Sequence, residues 1–250
     1  MIQLKSSLQI EAMKKAGRIT GEALALAGER VKEGVTTKEL DDFIRGYIEK
    51  KGAKPSFLGY GGFPGSACIS INDEVIHGIP SRKRVLQDGD IVKIDVGAFI
   101  GGYHGDSANT FTVGNVSKEA KDLIEATKKS FYEGVANCQA GKRLGDVGSA
   151  IEGCVKEYGF SVVRDFVGHG IGKELHEMPN VPNYGMAGHG LRLMNGMTVA
   201  VEPMVCVGSP KVKVLSDNWT VVTCDSSLAA HYEHTLAITP DGVLLLTKVD

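Results

Sequence analysis

The sequence contains an internal repeat, and this feature limits the possible folds more than any other. A shift of 107 positions, as from Gly34 to Gly141, superposes the first half of the chain on the second. Further matching pairs are Leu40 and Val147, Ile44 and Ile151, Gly46 and Gly153, Ile48 and Val155, and Gly52 and Gly159. Such self-similarity indicates two copies of one supersecondary unit. The matched glycines need only a structural explanation.

The repeat also superposes acidic residues that lie in apolar segments. Asp95 falls on Glu202 and, after an insertion in the second half, Asp106 falls on Glu233. Burying a carboxylate among apolar side chains is costly unless a positive charge compensates it. Repeated acids in such segments are therefore difficult to explain by packing, and they indicate a shared site.

Hydrophobic periodicity, capping residues and glycine turns predict helices and strands in each half. Ser6 with Gln9, and Thr36 with Glu39, have the spacing of helix capping boxes. The predicted helices run from about Ser6 to Lys32, from Thr36 to Gly52, from Ser117 to about Cys138 and from Asp146 to Tyr158. The predicted first-half hairpin has strands from Ile91 to Ile100 and from Asn109 to Val113, and strands dominate the chain after Tyr158.

The chain is expected to form one domain. No linker rich in proline, glycine and serine separates the halves, which are about 1–115 and 116–250. We therefore expect a single α+β domain over residues 1–250 with internal twofold character. The insertion from Val207 to Ala230 is charged and rich in turn residues, so we expect a surface excursion near the site.

Composition argues against several classes of function. The formal net charge is -2 and no long basic run occurs, so neither nucleic acid nor an anionic membrane is an expected partner. The segment from Met1 to Gly17 lacks the apolar run of a signal peptide, and we expect a cytoplasmic protein. The five cysteines lack Cys-x-x-Cys spacing, which argues against a thiolate zinc site, and their odd number argues against a disulfide framework.

Asp95 and Asp106 lie on the predicted first-half hairpin. For a two-residue turn at Ile100-Gly101, residues whose numbers sum to 201 face each other, and 95 plus 106 is 201. Both carboxylates would then point to the same face, close enough to share a cation. Two acids beside glycines are more often solvated turn residues, so this inference depends on the remaining acids.

The second half supplies two more acids and a histidine. Glu202 ends an apolar strand before Pro203, and Glu233 immediately precedes another apolar segment. Four such carboxylates repel one another unless cations lie between them, and hard oxygen ligands suit divalent metals. His169, flanked by glycines that allow a close approach, is the best candidate for a nitrogen ligand. The sequence thus favours a site for two divalent metal ions.

These residues resemble the methionine aminopeptidase family along essentially the whole chain. The motifs are Gly-His-Gly-Ile-Gly at 168–172, Val-Glu-Pro-Met at 201–204 and Tyr-Glu-His-Thr at 232–235. The resemblance is to the compact type I form and implies the pita-bread fold, in which two pseudo-symmetric halves pack helices on a curved antiparallel sheet. It also implies a five-ligand dinuclear site formed by Asp95, Asp106, His169, Glu202 and Glu233, with Asp106 and Glu233 bridging both metals.

The resemblance implies a metal-dependent aminopeptidase that removes the N-terminal, initiator methionine from nascent proteins and peptides. In this chemistry two metals activate a water that attacks the peptide carbonyl. Glu202 is expected to assist proton transfer, while His77 and His176 flank the substrate, one near the scissile amide and one stabilising the developing oxyanion. Manganese, iron, cobalt or zinc would suit the ligands, and ligand type does not choose among them.

Selectivity for methionine requires an apolar pocket of limited size. By resemblance, the substrate-binding residues are Tyr60, Phe63, Cys68, His77, His176 and Trp219. Phe57 and Leu175 depart from the family pattern, which commonly has a smaller side chain and a phenylalanine there. His231 stands where related sequences often carry glutamine; it shares a strand face with Glu233 and either orients that carboxylate or fills space. We expect structural roles for His104, His189 and His234.

Two other classes of function were weighed. An X-Pro aminopeptidase or prolidase has the same five ligands, but such proteins usually carry an N-terminal domain, for which Asp95 comes too early. A binding module related to this fold would have lost metal ligands, whereas all five candidates are present. We expect a monomer that acts on the N-terminal methionine of nascent chains, with transient ribosome association.

Overall fold

The structure of the protein, a computed structural model, describes residues 2–249. Within that span the chain forms four α-helices: α1 (Ser7–Gly28), α2 (Thr37–Lys50), α3 (Lys118–Val135) and α4 (Leu144–Glu157). None of these helices combines the length and the apolar character that crossing a membrane requires. Both predicted capping boxes are present, because Ser6 and Thr36 each exchange hydrogen bonds with the residue three positions on.

The strands form short antiparallel sheets, which together with the helices confirm the predicted α+β class. In the first half they are β1 (Lys54–Pro55), β2 (Ala67–Ile71), β3 (Glu74–Ile76), β4 (Ile91–Ile100) and β5 (Tyr103–Thr112). In the second half they are β6 (Ser161–Val162), β7 (Gly168–Gly170), β8 (Glu177–Val181), β9 (Thr198–Val201), β10 (Met204–Cys206), β11 (Val212–Val214), β12 (Val221–Thr223), β13 (Ala229–His231), β14 (His234–Thr239) and β15 (Gly242–Leu245). A short 3₁₀ turn covers Tyr60–Gly62.

The repeat seen in the sequence is present in the structure. α2 and α4 begin and end at positions related by the same shift of 107, and so do β1 and β6. The Gly34 N–H donates to the Leu86 carbonyl at 2.9 Å, and the Gly141 N–H donates to the Leu193 carbonyl at 2.9 Å. Both glycines have positive φ, which a residue with a side chain adopts at a cost.

Each half has its own apolar core. One core lies mainly between α1, α2 and the β2–β4–β5 sheet, and the other mainly between α3, α4 and the second-half strands. Two smaller clusters join the halves, one of them around Phe57, Phe63, Ile171 and Leu175. Because the joining clusters contain residues from both halves, the halves pack directly against each other.

Several predicted boundaries were wrong by a few residues. α1 ends at Gly28 rather than near Lys32, because the chain then turns and hydrogen-bonds to the segment before β4. α3 ends at Val135 rather than near Cys138, and a tight turn follows, in which the Cys138 N–H donates to the Val135 carbonyl. α4 begins before Asp146, whose carboxylate accepts from the Arg143 N–H in the first turn.

The strand boundaries also differ in the hairpin and in the insertion. The return strand β5 begins at Tyr103 rather than at Asn109, because it pairs with β4 along its whole length. The insertion from Val207 to Ala230 is exposed at its tip, as predicted, but its strand β12 is buried and pairs with β3 of the first half. The insertion therefore closes one side of the space between the halves.

Candidate metal centre

Asp95 and Asp106 reach the space between the halves from neighbouring strands of the first half. The register differs from the prediction, since Ile100 pairs with Tyr103 across a Gly101-Gly102 turn and Asp106 lies opposite Gly97. Asp95 is thus two positions from the residue that faces Asp106. Because side chains alternate with a period of two, both carboxylates still point to the same face.

Glu202 and Glu233 occupy corresponding breaks in two paired strands of the second half. Val201 lies opposite His234 on one side of the break, and Met204 lies opposite His231 on the other. The pairing keeps one register across this gap, so the two glutamates are opposite each other. Their backbones leave the regular ladder at this point, and their side chains lie beside those of the aspartates.

Hydrogen bonds between the halves fix the central strands against each other. The Thr235 hydroxyl accepts from the Asp106 N–H at 2.9 Å and donates to the Asp106 carbonyl at 2.9 Å. The Glu233 N–H donates to the Ala108 carbonyl at 2.9 Å, and the Ser107 hydroxyl donates to the Glu233 carbonyl at 2.7 Å. Asp106 and Glu233 therefore lie where the two halves of the chain are hydrogen-bonded to each other.

His169 extends from β7 toward the acids. Its Nε2 lies 3.8 Å from Asp106 Oδ2 and 3.6 Å from Glu202 Oε1. Its Nδ1 lies 2.8 Å from the Gly170 carbonyl, which can only accept, so Nδ1 donates and Nε2 is left with a free lone pair. Burial lowers the pKa of His169 to about 3, and the neutral ring is the form that binds metal.

The four carboxylates fit divalent cations in charge and in donor type. Burial raises the pKa of Asp95, Glu202 and Glu233 well above the usual range, and repulsion from neighbouring carboxylates adds to it. One oxygen each of Asp95, Asp106 and Glu233 is buried without a hydrogen-bond partner in the described part of the chain. Among residues 2–249, no lysine or arginine forms an ion pair with any of the four. Hard oxygen donors that lack a counter-charge suit divalent metals.

The five predicted ligands line one cavity of about 200 Å³. Ligand atoms of Asp106, His169 and Glu233 lie within 4.8 Å of one another and form the most compact group. Asp95 and Glu202 lie beside this group rather than within it. The structure therefore brings together all five residues that the repeat and the resemblance singled out, on strands from both halves.

All six predicted substrate-binding residues line the same cavity: Tyr60, Phe63, Cys68, His77, His176 and Trp219. The Phe63 and Trp219 rings contact edge to face, with centroids 5.1 Å apart. Cys68 pairs with Asp95 across β2 and β4, which places the thiol beside the acids. The cavity thus has an apolar, partly aromatic wall next to its charged floor.

The two predicted substrate histidines have different surroundings. His176 Nδ1 lies 2.8 Å from the Tyr60 hydroxyl, and its ring centroid is 4.1 Å from that of His169. His77 has a positive φ of 60° and stacks edge to face with Phe166. Burial lowers the pKa of His77 to about 4, so this ring is neutral at physiological pH.

Three further residues of the cavity wall, Ile76, Phe166 and Val167, were not predicted from the sequence. Each lies next to a recognised segment, since Ile76 precedes His77 and Phe166-Val167 precedes Gly168. The feature of the sequence that could have identified them is their position next to His77 and next to the glycine-flanked His169. Phe57 and Leu175, which depart from the family pattern, also line the cavity, so they shape it directly.

The remaining histidines lie away from the compact ligand group. His231 is buried, and its Nε2 lies 3.6 Å from Glu202 Oε2. Met204 lies opposite His231, so Glu202 is the diagonal neighbour of His231, and this contact is the one expected if His231 shares a face with Glu233. His104 bonds to Ser56 at 2.9 Å, and His234 bonds to Thr247 at 2.8 Å.

Comparisons with known proteins agree with this geometry. Residues 11–240 match the model of metallopeptidase family M24. The methionine aminopeptidase of Clostridium acetobutylicum is 54% identical, over 99% of each chain. The crystal structure of methionine aminopeptidase from Thermotoga maritima has a TM-score of 0.98 and 43% identity, and each chain is covered completely.

A prolidase provides the more distant comparison. Prolidase from Pyrococcus furiosus has a TM-score of 0.79 and 25% identity, and the match covers 99% of this chain but 66% of the prolidase. The likeness to both proteins confirms the predicted pita-bread fold, and the full-length match is to the methionine aminopeptidases. The chain belongs to metallopeptidase family M24 and, within it, to the type I methionine aminopeptidases.

Proposed function

We propose that the protein hydrolyses the peptide bond after an N-terminal methionine and binds two divalent metal ions for this purpose. The observation that carries the proposal is a single cavity lined by two kinds of residue. One part is lined by the five potential ligands, four buried carboxylates without a counter-charge and one histidine, and the adjoining part is lined by aromatic side chains. The curated relatives that carry the name methionine aminopeptidase support the same substrate class.

The ligand set would be Asp95, Asp106, His169, Glu202 and Glu233. Asp106 and Glu233, at the centre, are suited to contact both ions, because each offers two oxygens and neither is paired with a cation. When bound, divalent metals supply a water that is acidic near neutral pH and a polarised peptide carbonyl. Manganese, iron, cobalt and zinc are all compatible with these donors.

Protein side chains would perform the remaining tasks. Glu202 lies 3.6 Å from His169 at the edge of the ligand group, where a carboxylate can receive a proton from the attacking water. His77 and His176 line the same cavity, where neutral imidazoles can donate hydrogen bonds to the scissile amide and its developing oxyanion. Phe63, Cys68 and Trp219 would surround the thioether side chain.

Release of free methionine tests the proposal. Metal-stripped protein is titrated with manganese, iron(II), cobalt or zinc, and product is measured from Met-Ala-Ser, Leu-Ala-Ser and Ala-Pro peptides. We expect metal-dependent release of methionine, much weaker release of leucine and none from Ala-Pro. Absence of methionine release with every metal would contradict the proposed function, and hydrolysis of Ala-Pro would favour the X-Pro alternative.

The role of Glu202 has its own test. Glu202→Gln keeps the size of the side chain but cannot accept a proton, so we expect kcat to fall by roughly 10²- to 10⁴-fold. Glu49→Gln, on the exposed face of α2, is the matched control and should be unaffected. Near-normal turnover of Glu202→Gln with full metal occupancy would remove this residue from proton transfer.

The proposed substrate class also determines where the protein would act. Peptides with an N-terminal methionine arise during translation, so we place the protein in the cytoplasm. Transient contact with the ribosome and a monomeric state complete the proposal. Sedimentation of the protein with and without translating ribosomes tests both of these expectations.

A further inference from the structure

The segment before α1 reaches the loop that carries His176. This loop, here called the histidine loop, comprises residues 171–177. Lys5 is only 7% exposed, although lysine side chains normally lie in solvent. Its Nζ forms an ion pair with Glu177 Oε2, and both side chains are almost completely buried. An ion pair this deeply buried requires specific surroundings, because desolvation of both charges is costly.

Glu177 connects Lys5 to the backbone of the histidine loop. Its second oxygen, Oε1, accepts from the Lys173 N–H at 2.8 Å and from the Glu174 N–H at 3.3 Å. The Gly172 N–H donates to the Glu174 carbonyl at 3.1 Å and closes the turn. One carboxylate therefore holds both the ammonium group of the N-terminal segment and two successive loop amides.

The surroundings of the ion pair leave no spare room. A Cβ on Gly172 would lie 2.5 Å from Lys5 Cε and 2.6 Å from Glu177 Oε1, so a side chain at this position would displace the ends of both paired side chains. At its other end, the Lys5 N–H donates to the Gly196 carbonyl at 2.7 Å. Lys5 is thus fixed through its backbone on one side and through its ammonium group on the other.

The histidine loop brings two side chains to the cavity. Leu175 is buried in the cluster that joins the halves, and His176 hydrogen-bonds to Tyr60 at 2.8 Å. The position of His176 therefore depends on the position of residues 172–174, which Glu177 holds. Loss of the Lys5 ammonium would leave the Glu177 carboxylate buried without a counter-charge, and the loop would have to move to expose it to water.

We propose that Lys5 and Glu177 are positioning residues for His176. In this proposal, which rests on the proposed function, the buried ion pair holds the histidine loop so that His176 faces the reacting peptide. The pair itself contacts neither the candidate metal ligands nor the cavity. Its effect on turnover passes through the loop, and the N-terminal segment becomes part of the active site's support.

Lys5→Met tests the proposal, because it keeps the length of the side chain and removes the charge. Lys14→Met, on the exposed face of α1, is the matched control. We expect kcat for Met-Ala-Ser to fall roughly 10- to 100-fold in Lys5→Met with KM little changed, because a hydrogen-bond donor at the reacting amide contributes mainly in the transition state. The amides of Lys173 and Glu174 should exchange hydrogen faster than in the control. Unchanged kcat and exchange would overturn the proposal.

A double variant separates positioning from a general loss of stability. If Lys5 acts through His176, Lys5→Met should lower kcat very little in a His176→Ala background. An equal loss in both backgrounds would overturn the proposal. Should Lys5→Met fail to fold, Glu177→Gln serves instead, because it keeps an acceptor oxygen for the loop amides and removes only the charge.

Failure of this proposal is distinguishable from failure of the proposed function. If the wild-type protein released no methionine, the proposed function would fail and the link from the ion pair to turnover would fail with it. Hydrogen exchange at residues 173 and 174 would still decide whether Lys5 holds the loop. If the wild type is active and Lys5→Met is equally active, only the positioning proposal fails.

Discussion

The two halves of the chain build their central hairpins differently. In the first half, β4 and β5 pair without interruption from Ile91 opposite Thr112 to Ile100 opposite Tyr103. In the second half, the corresponding strands break at Glu202 and Glu233, and the Val207–Ala230 insertion adds β11 and β12. The continuous hairpin holds its two aspartates diagonally, whereas the broken one places its two glutamates opposite each other.

This difference shows how one supersecondary unit can serve two purposes. The uninterrupted ladder satisfies its backbone groups internally and gives a fixed platform for Asp95 and Asp106. The broken ladder gives up regular pairing, and Pro203, which has no N–H to donate, lies at the break. The second half also supplies His169, His176 and Trp219 to the cavity. The first half, with its regular hairpin, supplies two of the five candidate metal ligands, and the second half, with its broken hairpin, supplies the other three.

The largest expected effect comes from removing a ligand at the junction of the halves. Asp106→Asn keeps shape but removes the charge between the two hairpins, so we expect a loss of kcat/KM of roughly 10³-fold or more with weaker metal binding. Asp122→Asn, an exposed change of the same type on α3, is the control. Calorimetric titration with manganese and a methionine-release assay measure both effects. Tight metal binding by Asp106→Asn would show that the halves do not share the site.

Metal and pH together test whether the carboxylates oppose folding when no cation is present. Burial raises the pKa of Asp106 to about 7 from an ordinary value of 3.8, so the folded protein binds this proton more tightly than the unfolded chain does. The resulting stability is present below pH 3.8 and is lost as the pH rises toward 7. Buried histidines such as His169 and His231, whose pKa is lowered to about 3, shift stability in the opposite direction, so the contribution of Asp106 is measured against Asp106→Asn. We therefore expect Tm of the metal-free wild type, relative to metal-free Asp106→Asn, to fall as the pH rises across this range.

Added manganese should reverse that trend, because metals bind deprotonated carboxylates. The increase in Tm on adding manganese should be larger at pH 7.5 than at pH 5, as measured by thermal denaturation in matched buffers. Asp122→Asn should show the same increments as the wild type, since this exposed group lies outside the site. An increment that does not grow with pH would contradict the argument.

The break in the second hairpin predicts a role for His231. Its ring faces Glu202 at 3.6 Å, and neither ring nitrogen has a hydrogen-bond partner among residues 2–249. If the ring donates to Glu202, His231→Leu should lower metal affinity and kcat/KM by roughly 10- to 100-fold, whereas His231→Gln, which keeps a donor, should retain most of both. Metal titration and steady-state kinetics compare the two variants. Wild-type behaviour of His231→Leu would mean that the ring only fills space.

A smaller effect is expected for the insertion that only the second half has. Trp219 packs on Phe63 and forms part of the proposed methionine pocket. Trp219→Ala should raise KM for Met-Ala-Ser by about tenfold while kcat changes less, because the side chain contacts the substrate in the ground state as well. Leu215→Ala, an exposed change in the same insertion, is the control. An unchanged KM would remove the insertion from the pocket.

Sequence reasoning was most successful where local rules decide the structure. The capping boxes at Ser6 and Thr36 and the repeat of the helices follow from short-range chemistry, and the structure confirms them. The predicted turn was one residue too early in the chain, so every cross-strand partner in the hairpin is displaced by two residues. Three nearby glycines allow more than one turn position. The alternation of side chains nevertheless placed Asp95 and Asp106 on the correct face, since a shift by two residues preserves the face.

The wall residue Phe166 was beyond the sequence for a different reason. It lies on irregular backbone between β6 and β7, and no periodicity governs such a segment. The buried pair of Lys5 and Glu177 joins residues that are far apart in sequence, and no local pattern relates them. Tertiary packing decides both of these features.

The smallest expected effect concerns α2 and α4, the two helices that have the same length and equivalent positions in the two halves. Gly46 in α2 and Gly153 in α4 are related by the shift of 107, lie on exposed helix faces and would meet nothing within 4 Å if a Cβ were added. Glycine costs a helix interior about 0.5–1 kcal/mol relative to alanine, so each Gly→Ala change should raise the free energy of unfolding by about that amount. The two gains should add, because the helices belong to different cores.

Gly21→Ala is the contrasting control, since its Cβ would lie 2.0 Å from the Thr247 carbonyl oxygen and should destabilise the protein. Chemical denaturation measures Gly46→Ala, Gly153→Ala, the double variant that combines them, and Gly21→Ala. Unequal gains at Gly46 and Gly153 would show that the two helices differ energetically despite their equal geometry, and the asymmetry of the halves would then extend beyond the hairpins.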